Sequence, residues 1–301
     1  MSSTLSLPEA HKIVAQLESM DASKSSVDDY KEIFRTLFHT YAVDAPTFDP
    51  GLRVFRSRQG ERRRNRRELS YPPLAATPNG RANREGDPVF YCATSRIASA
   101  FEWKPNAGQE AVISLWKTLK PIRVAHIGYT GAVFANYGAA RVIPPFAISP
   151  NAAPVRTPVN IFVDDALGRV FTTRVNSNEL YLYKRSIAIT EICRETGMFD
   201  GIIYPTLAMR ANTDNLALLP EVEDTKLELV RTEFYHVEEV DEVNFLYKMK
   251  LVDTATSLSA TGEIAWKGRG DRWPSAYQPT LSIEDGLVVA RDASGNLIDP
   301  E

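Results

Sequence analysis

Apolar residues recur at helical spacing over the first forty positions. Ile13, Val14, Leu17 and Met20 form one stripe behind Ser6-Leu7-Pro8-Glu9, which supplies a cap residue and an early proline. Tyr30, Ile33, Phe34, Leu37, Phe38 and Tyr41 form a second, and Ser26 with Asp29 has capping-box spacing. The pattern predicts two amphipathic helices, ended by Pro46 and Pro50-Gly51. Helices this short do not hold alone, so the pair is expected to pack on the main domain or on another protomer.

Further on, the period changes repeatedly. Val89-Phe90-Tyr91 reads as a short strand, and Thr94 or Ser95 caps a helix whose apolar stripe is Ile97, Ala98 and Phe101. β-Branched content predicts strands over Val112–Trp116, Ile122–Ile127 and Val159–Val163. Gly128 to Pro158, with Pro144-Pro145, Pro150 and Pro154, is expected to be a long loop over the site. Ser186–Arg194 predicts a helix stopped by Gly197, followed by a buried strand at Gly201–Tyr204. From Leu227 the pattern is all β: Leu227–Val230, Thr232–Val240 and Val243–Val252 alternate, and Asp285-Gly286 and Ser294-Gly295-Asn296 mark turns. The expected organisation is an α+β chain with an N-terminal helical segment (1–45), a central domain (46–220) and a β-rich C-terminal extension (221–301).

Composition narrows the class without identifying it. The 301 residues are 44% hydrophobic and 24% charged, near the globular average. A net charge of −3 gives no electrostatic reason to expect nucleic acid as a partner. Arg62, Arg63, Arg64, Arg66 and Arg67 are confined to one stretch without interleaved aromatics, which fits a solvated loop. Cys92 and Cys193 fall inside predicted core elements, as reduced thiols of a cytoplasmic protein would. Four scattered histidines (His11, His39, His126, His236) and two cysteines give no metal-ligand spacing, so no metal is expected. No signal peptide, internal repeat or membrane-length apolar run is visible.

The chemistry concentrates between Asn79 and Glu102. Asn79-Gly80 and Gly86-Asp87-Pro88 are turn signals, placing Arg81 and Asn83 on an irregular loop free to meet a ligand. Glu102 stands at the far end of its helix, where the dipole disfavours an acid. It either faces water or is held by something outside the helix.

Three blocks in order resemble the RES-domain family, named for its Arg, Glu and Ser residues. Leu52-Arg53-Val54-Phe55-Arg56-Ser57-Arg58 resembles the opening strand, Gly80-Arg81-Ala82-Asn83 through Ala100-Phe101-Glu102 the central block, and Asp200–Thr206 with Asn215–Leu219 the closing block. Thr206 stands where the family has its serine, Ala82 where an aromatic residue usually follows the loop arginine, and Phe55 where a tyrosine would add a hydroxyl. The resemblance implies an ADP-ribosyltransferase-like mixed β core with flanking helices. It implies an enzyme with NAD as substrate rather than as bound cofactor, which breaks the nicotinamide–ribose bond as the toxin of a toxin–antitoxin pair. An antitoxin protein is then an expected partner, and a homo-oligomer a further one.

The residues suit that reaction. Cleavage develops oxocarbenium character on the ribose, so a fixed carboxylate beside the sugar, Glu102, stabilises the transition state and holds a hydroxyl. Arg56 and Arg81 offer paired donors to a pyrophosphate. The arginines between Glu61 and Glu68 would draw it toward the cleft. Tyr91 would stack on nicotinamide or hold a ribose hydroxyl, and Thr206 would bond the amide or a ribose. Asn83 and Tyr204 complete the expected substrate-binding set. Two alternatives stay open, transfer of ADP-ribose to a macromolecule and an NAD-binding module without catalysis.

Overall fold

A computed structural model describes residues 5–39, 41, 43, 45–139, 141, 157–241, 246–268, 280–284, 287–291 and 295–298. Both N-terminal helices form as their caps dictate. In α1 (Leu7–Ser19) the Ser6 hydroxyl accepts from the Glu9 N–H while the Glu9 carboxylate accepts from the Ser6 N–H; Ser26 and Asp29 do the same for α2 (Val27–Phe38). Their apolar faces are not an appendage. Tyr30, Phe34 and Leu37 are buried in one cluster with Val163, Leu167 and Phe171 of α5 (Pro158–Phe171) and Ile187 and Ile189 of α6 (Tyr183–Glu195).

The segment Val159–Val163, expected as a strand, is helical. Thr157 caps it by accepting from the Asn160 N–H at 3.2 Å, and Pro158 fills the first position, where a missing N–H costs nothing. The five-residue stretch, apolar but for Asn160, was too short to separate a period of 2 from one of 3.6. A short helix, α4 (Gly131–Tyr137), also interrupts the expected long loop, ending at Gly138 in the left-handed conformation. Pro144, Pro145, Pro150 and Pro154 lie outside the described residues, as do Asp285, Gly286 and Ser294 in the expected turns.

Besides short 3-10 turns, the described residues also form α3 (Arg96–Phe101), α7 (Pro220–Lys226) and the strands β1 (Thr47–Phe48), β2 (Arg53–Gln59), β3 (Phe90–Ala93), β4 (Glu110–Thr118), β5 (Ile122–His126), β6 (Gly201–Pro205), β7 (Asp214–Leu218), β8 (Leu227–Asp241), β9 (Leu246–Ala255), β10 (Thr280–Glu284), β11 (Leu287–Arg291) and β12 (Leu297–Ile298). They form one mixed sheet in the order β1-β5-β6-β7-β3-β2-β4-β8-β9-β10-β11-β12, antiparallel except for β5 beside β6. The β-rich C-terminal part therefore continues the main sheet, because β8 pairs with β4 from Thr118↔Leu227 to Glu110↔His236.

One seam in this sheet is nearly open. β2 pairs with β4 over all seven residues, and β3 pairs with β7 over all four, yet β2 and β3 share the single pair Phe55↔Ala93. Beyond that pair the strands part. On either side lie separate clusters, one built on Trp116, Phe90 and Val54, the other on Phe55, Ile113 and Tyr235. Among the described residues, no helix is long and apolar enough to cross a membrane.

Candidate functional site

The parting of β2 and β3 leaves a cleft of about 570 Å³. Side chains from both strands, from the loop before β3, from the end of α3 and from β6 and β7 reach it. Arg56, Arg81, Tyr91, Glu102 and Tyr204, five of the residues expected at the site, all line it.

Arg56 is 5% exposed and donates from Nη1 to the Tyr91 carbonyl across the seam, with its guanidinium 5.1 Å from the Phe90 ring centre. Among the described residues it has no carboxylate partner. Burial, with Arg58 adding repulsion, pushes this guanidinium down to about 9. Arg81 donates to the Phe171 carbonyl at the end of α5 and lies 5.3 Å from the Tyr183 ring centre. Among the described residues neither arginine pairs with an acid, which leaves both guanidinium groups able to meet an anion.

The loop carrying Arg81 is braced by two residues expected to touch substrate. Tyr91 donates its hydroxyl to Asn83 Oδ1 and accepts the Ala82 N–H, both at 2.8 Å. Asn83 Nδ2 donates to the Pro78 carbonyl at 2.9 Å and the Arg84 carbonyl at 2.8 Å. Asn83 is buried and is not among the cleft's lining residues; its amide is consumed by the loop. The Tyr91 hydroxyl is likewise occupied, and burial raises its pKa, so it presents a ring rather than a free donor. Gly80 is required by this brace: a Cβ there would lie 2.5 Å from Asn83 Oδ1 and 2.7 Å from the Tyr91 hydroxyl. Ala82, next to Arg81 in the loop, is fully buried.

Glu102 is held from outside its helix. The N–H of Ala98 bonds the Ser95 hydroxyl at 3.0 Å to start α3, and packing of Ile97 and Phe101 with Met209 fixes where it ends. Glu102 Oε1 then accepts from Thr206 Oγ1 and from Asn215 Nδ2, each at 2.7 Å. Two donors compensate an acid at a helix C-terminus. Thr206 is fully buried, takes the Met209 N–H at 3.3 Å as well, and does not line the cleft. Its hydroxyl meets Glu102 rather than open space. Tyr204, 5% exposed, packs edge-on against Phe171 at 5.0 Å.

Arg58, Trp103, Tyr183 and Asn215 also line the cleft, without having been assigned a role from sequence. Two signals were available. Arg58 follows Arg56 by two residues on a strand and so shares its face, and Asn215 is a lone amide in an apolar run. The five arginines from Arg62 to Arg67 do not line the cleft. Arg62 pairs with Asp253 at 2.9 Å and Arg66 pairs with the buried Glu223, so the expectation that this stretch guides a pyrophosphate does not hold for these two. Among the described residues no group of three or more His, Cys, Asp or Glu is placed to hold a metal. Burial pushes both thiols, Cys92 and Cys193, up to about 12. No protein-family model matches the chain, and comparison with curated proteins gives no match.

Proposed function

We propose that the cleft binds NAD and that the chain cleaves its nicotinamide–ribose bond. The observation that carries this reading is the convergence of Arg56, Arg81, Glu102 and Tyr204, distant along the chain, in one cleft whose carboxylate is held by two donors. The volume suits a dinucleotide-sized ligand. In the reaction the C1′–N bond breaks, its electron pair goes to the ring nitrogen, and nicotinamide leaves neutral. Water adds to C1′ and gives up a proton to solvent; phosphate in its place would yield the sugar phosphate.

Each residue has a part that its surroundings permit. Glu102 Oε1 is taken by Thr206 and Asn215, which leaves Oε2 to accept a ribose hydroxyl and to face the developing cation. Arg56 and Arg81 receive the pyrophosphate. The Tyr91 and Tyr204 rings offer apolar faces to nicotinamide. The RES resemblance supports the same assignment, and with it an ADP-ribosyltransferase-like fold, a toxin's role and an antitoxin partner.

Incubating the full chain with NAD and following free nicotinamide tests the reading. Release is expected, and Glu102→Gln should slow it about a hundredfold or more while leaving the thermal midpoint nearly unchanged. Absence of release would overturn cleavage, and binding of ADP-ribose without release would mark a binding module. ADP-ribose label on added protein or nucleic acid would move the acceptor from water to a macromolecule.

A further inference from the structure

Arg58 is the third guanidinium at the cleft. Among the described residues, the charged side chains lining it are Arg56, Arg58, Arg81 and Glu102. Three cations thus face one carboxylate. Proteins rarely bury arginine without a counter-charge, because desolvation costs more than hydrogen bonds to neutral carbonyls return. Arg58 Nη2 donates to the Ser70 carbonyl at 2.7 Å, its one side-chain hydrogen bond among the described residues, where no acid pairs with it. Burial and the neighbouring Arg63 both lower its pKa. Arg56 lies deeper, 5% exposed where Arg58 is half-buried, also pairs with no acid among the described residues, and has no hydrogen-bond partner for its Nε.

The placement of the two is dictated by the strand. Residues i and i+2 share a face about 6.6 Å apart, so Arg56 and Arg58 stand side by side on β2. β3 no longer pairs with this stretch of β2, and both arginines line the cleft. We infer that Arg56 and Arg58 form a paired guanidinium cradle for the two linked phosphates of a dinucleotide, which makes Arg58 a ligand-binding residue. The inference rests on the NAD reading of the cleft and specifies its substrate class: a pyrophosphate diester, whose two negative charges match the excess of cations, in preference to a mononucleotide.

Calorimetric titration of the full chain with ADP-ribose, AMP and adenosine tests it, using wild type, Arg58→Ala and Arg58→Lys. Arg58→Ala should weaken ADP-ribose about tenfold or more, AMP much less and adenosine not at all. Arg58→Lys keeps the charge without the planar fork and should fall between. Unchanged ADP-ribose affinity in Arg58→Ala would overturn the cradle. So would a parallel loss of adenosine, which would mean a collapsed cleft, or no ADP-ribose binding by wild type. If Arg58→Ala does not fold, Arg58→Lys decides, and wild-type affinity there is the overturning result. ADP-ribose binding that depends on Arg58 without NAD consumption would sink cleavage and leave the cradle standing. NAD consumption with wild-type binding in Arg58→Ala would do the reverse.

Discussion

Two donors on one carboxylate oxygen change what Thr206 is for. Its hydroxyl lies between Glu102 and the Met209 N–H, so it sets the position of the acid rather than touching a ligand. Thr206→Val should therefore cut kcat for nicotinamide release about tenfold or more with little change in KM, whereas Thr206→Ser should keep most of it. Steady-state kinetics on both variants check this; a KM effect in Thr206→Val would return the residue to substrate binding. The order of blocks grouped Arg56, Arg81, Glu102 and Tyr204 in sequence, and all four line one cleft. Block order does not reveal hydrogen-bond partners. Asn83 and the Tyr91 hydroxyl bind each other because the loop closes back on β3, a fact of three dimensions that spacing does not encode. Asn215 meets Glu102 because its ladder neighbours are Ala93 and Tyr204, both beside the cleft.

Among elements, the Arg81 loop owes its position to helices distant in sequence. Arg84, three residues on, bonds Asp28 of α2 at 2.7 Å and also Glu191 of α6, and Lys31 reaches the same Glu191 at 2.8 Å. Burial alone would raise the Glu191 pKa, but Arg84 and Lys31 outweigh it and the carboxyl ends below its usual range. A carboxylate lowered by folding contributes stability above its unfolded value, about 4.3, and loses it as pH falls through the folded value. Arg84→Ala should thus cost about 1–2 kcal/mol at neutral pH, with the exposed Asp28 arm counting for little. The difference from wild type should shrink as the solution is acidified below pH about 4, measured by thermal melts across pH. Capping boxes were visible in sequence because they are local. β8 was not seen whole for a physical reason: Leu115 faces Arg231 and Trp116 faces Leu229, so Val230 is an extra residue. That bulge shifts the phase of alternation and makes one strand look like two.

For the whole molecule, the boundaries expected near 45 and 221 do not separate independent cores. Phe34 is 1% exposed and shares its cluster with α5 and α6, while β8 extends the sheet that carries the cleft. Which helix meets which is set by long-range packing, and apolar stripes show only that a partner exists. Phe34→Ala should cost about 3–5 kcal/mol. All four tryptophans lie beyond residue 100, so their fluorescence reports on the rest of the chain. In urea, circular dichroism and tryptophan fluorescence should shift together; a helical loss that leaves fluorescence in place would mean a separable segment. The nearly open seam has a consequence for solubility as well. Beyond Phe55↔Ala93 the facing edges of β2 and β3 lack ladder partners, with Arg56 covering the Tyr91 carbonyl, and unpaired edges invite another chain's backbone. Arg56, desolvated and charged, guards that opening. Exchanging it for an aliphatic residue would uncover the Tyr91 carbonyl and turn the seam into a template for self-association.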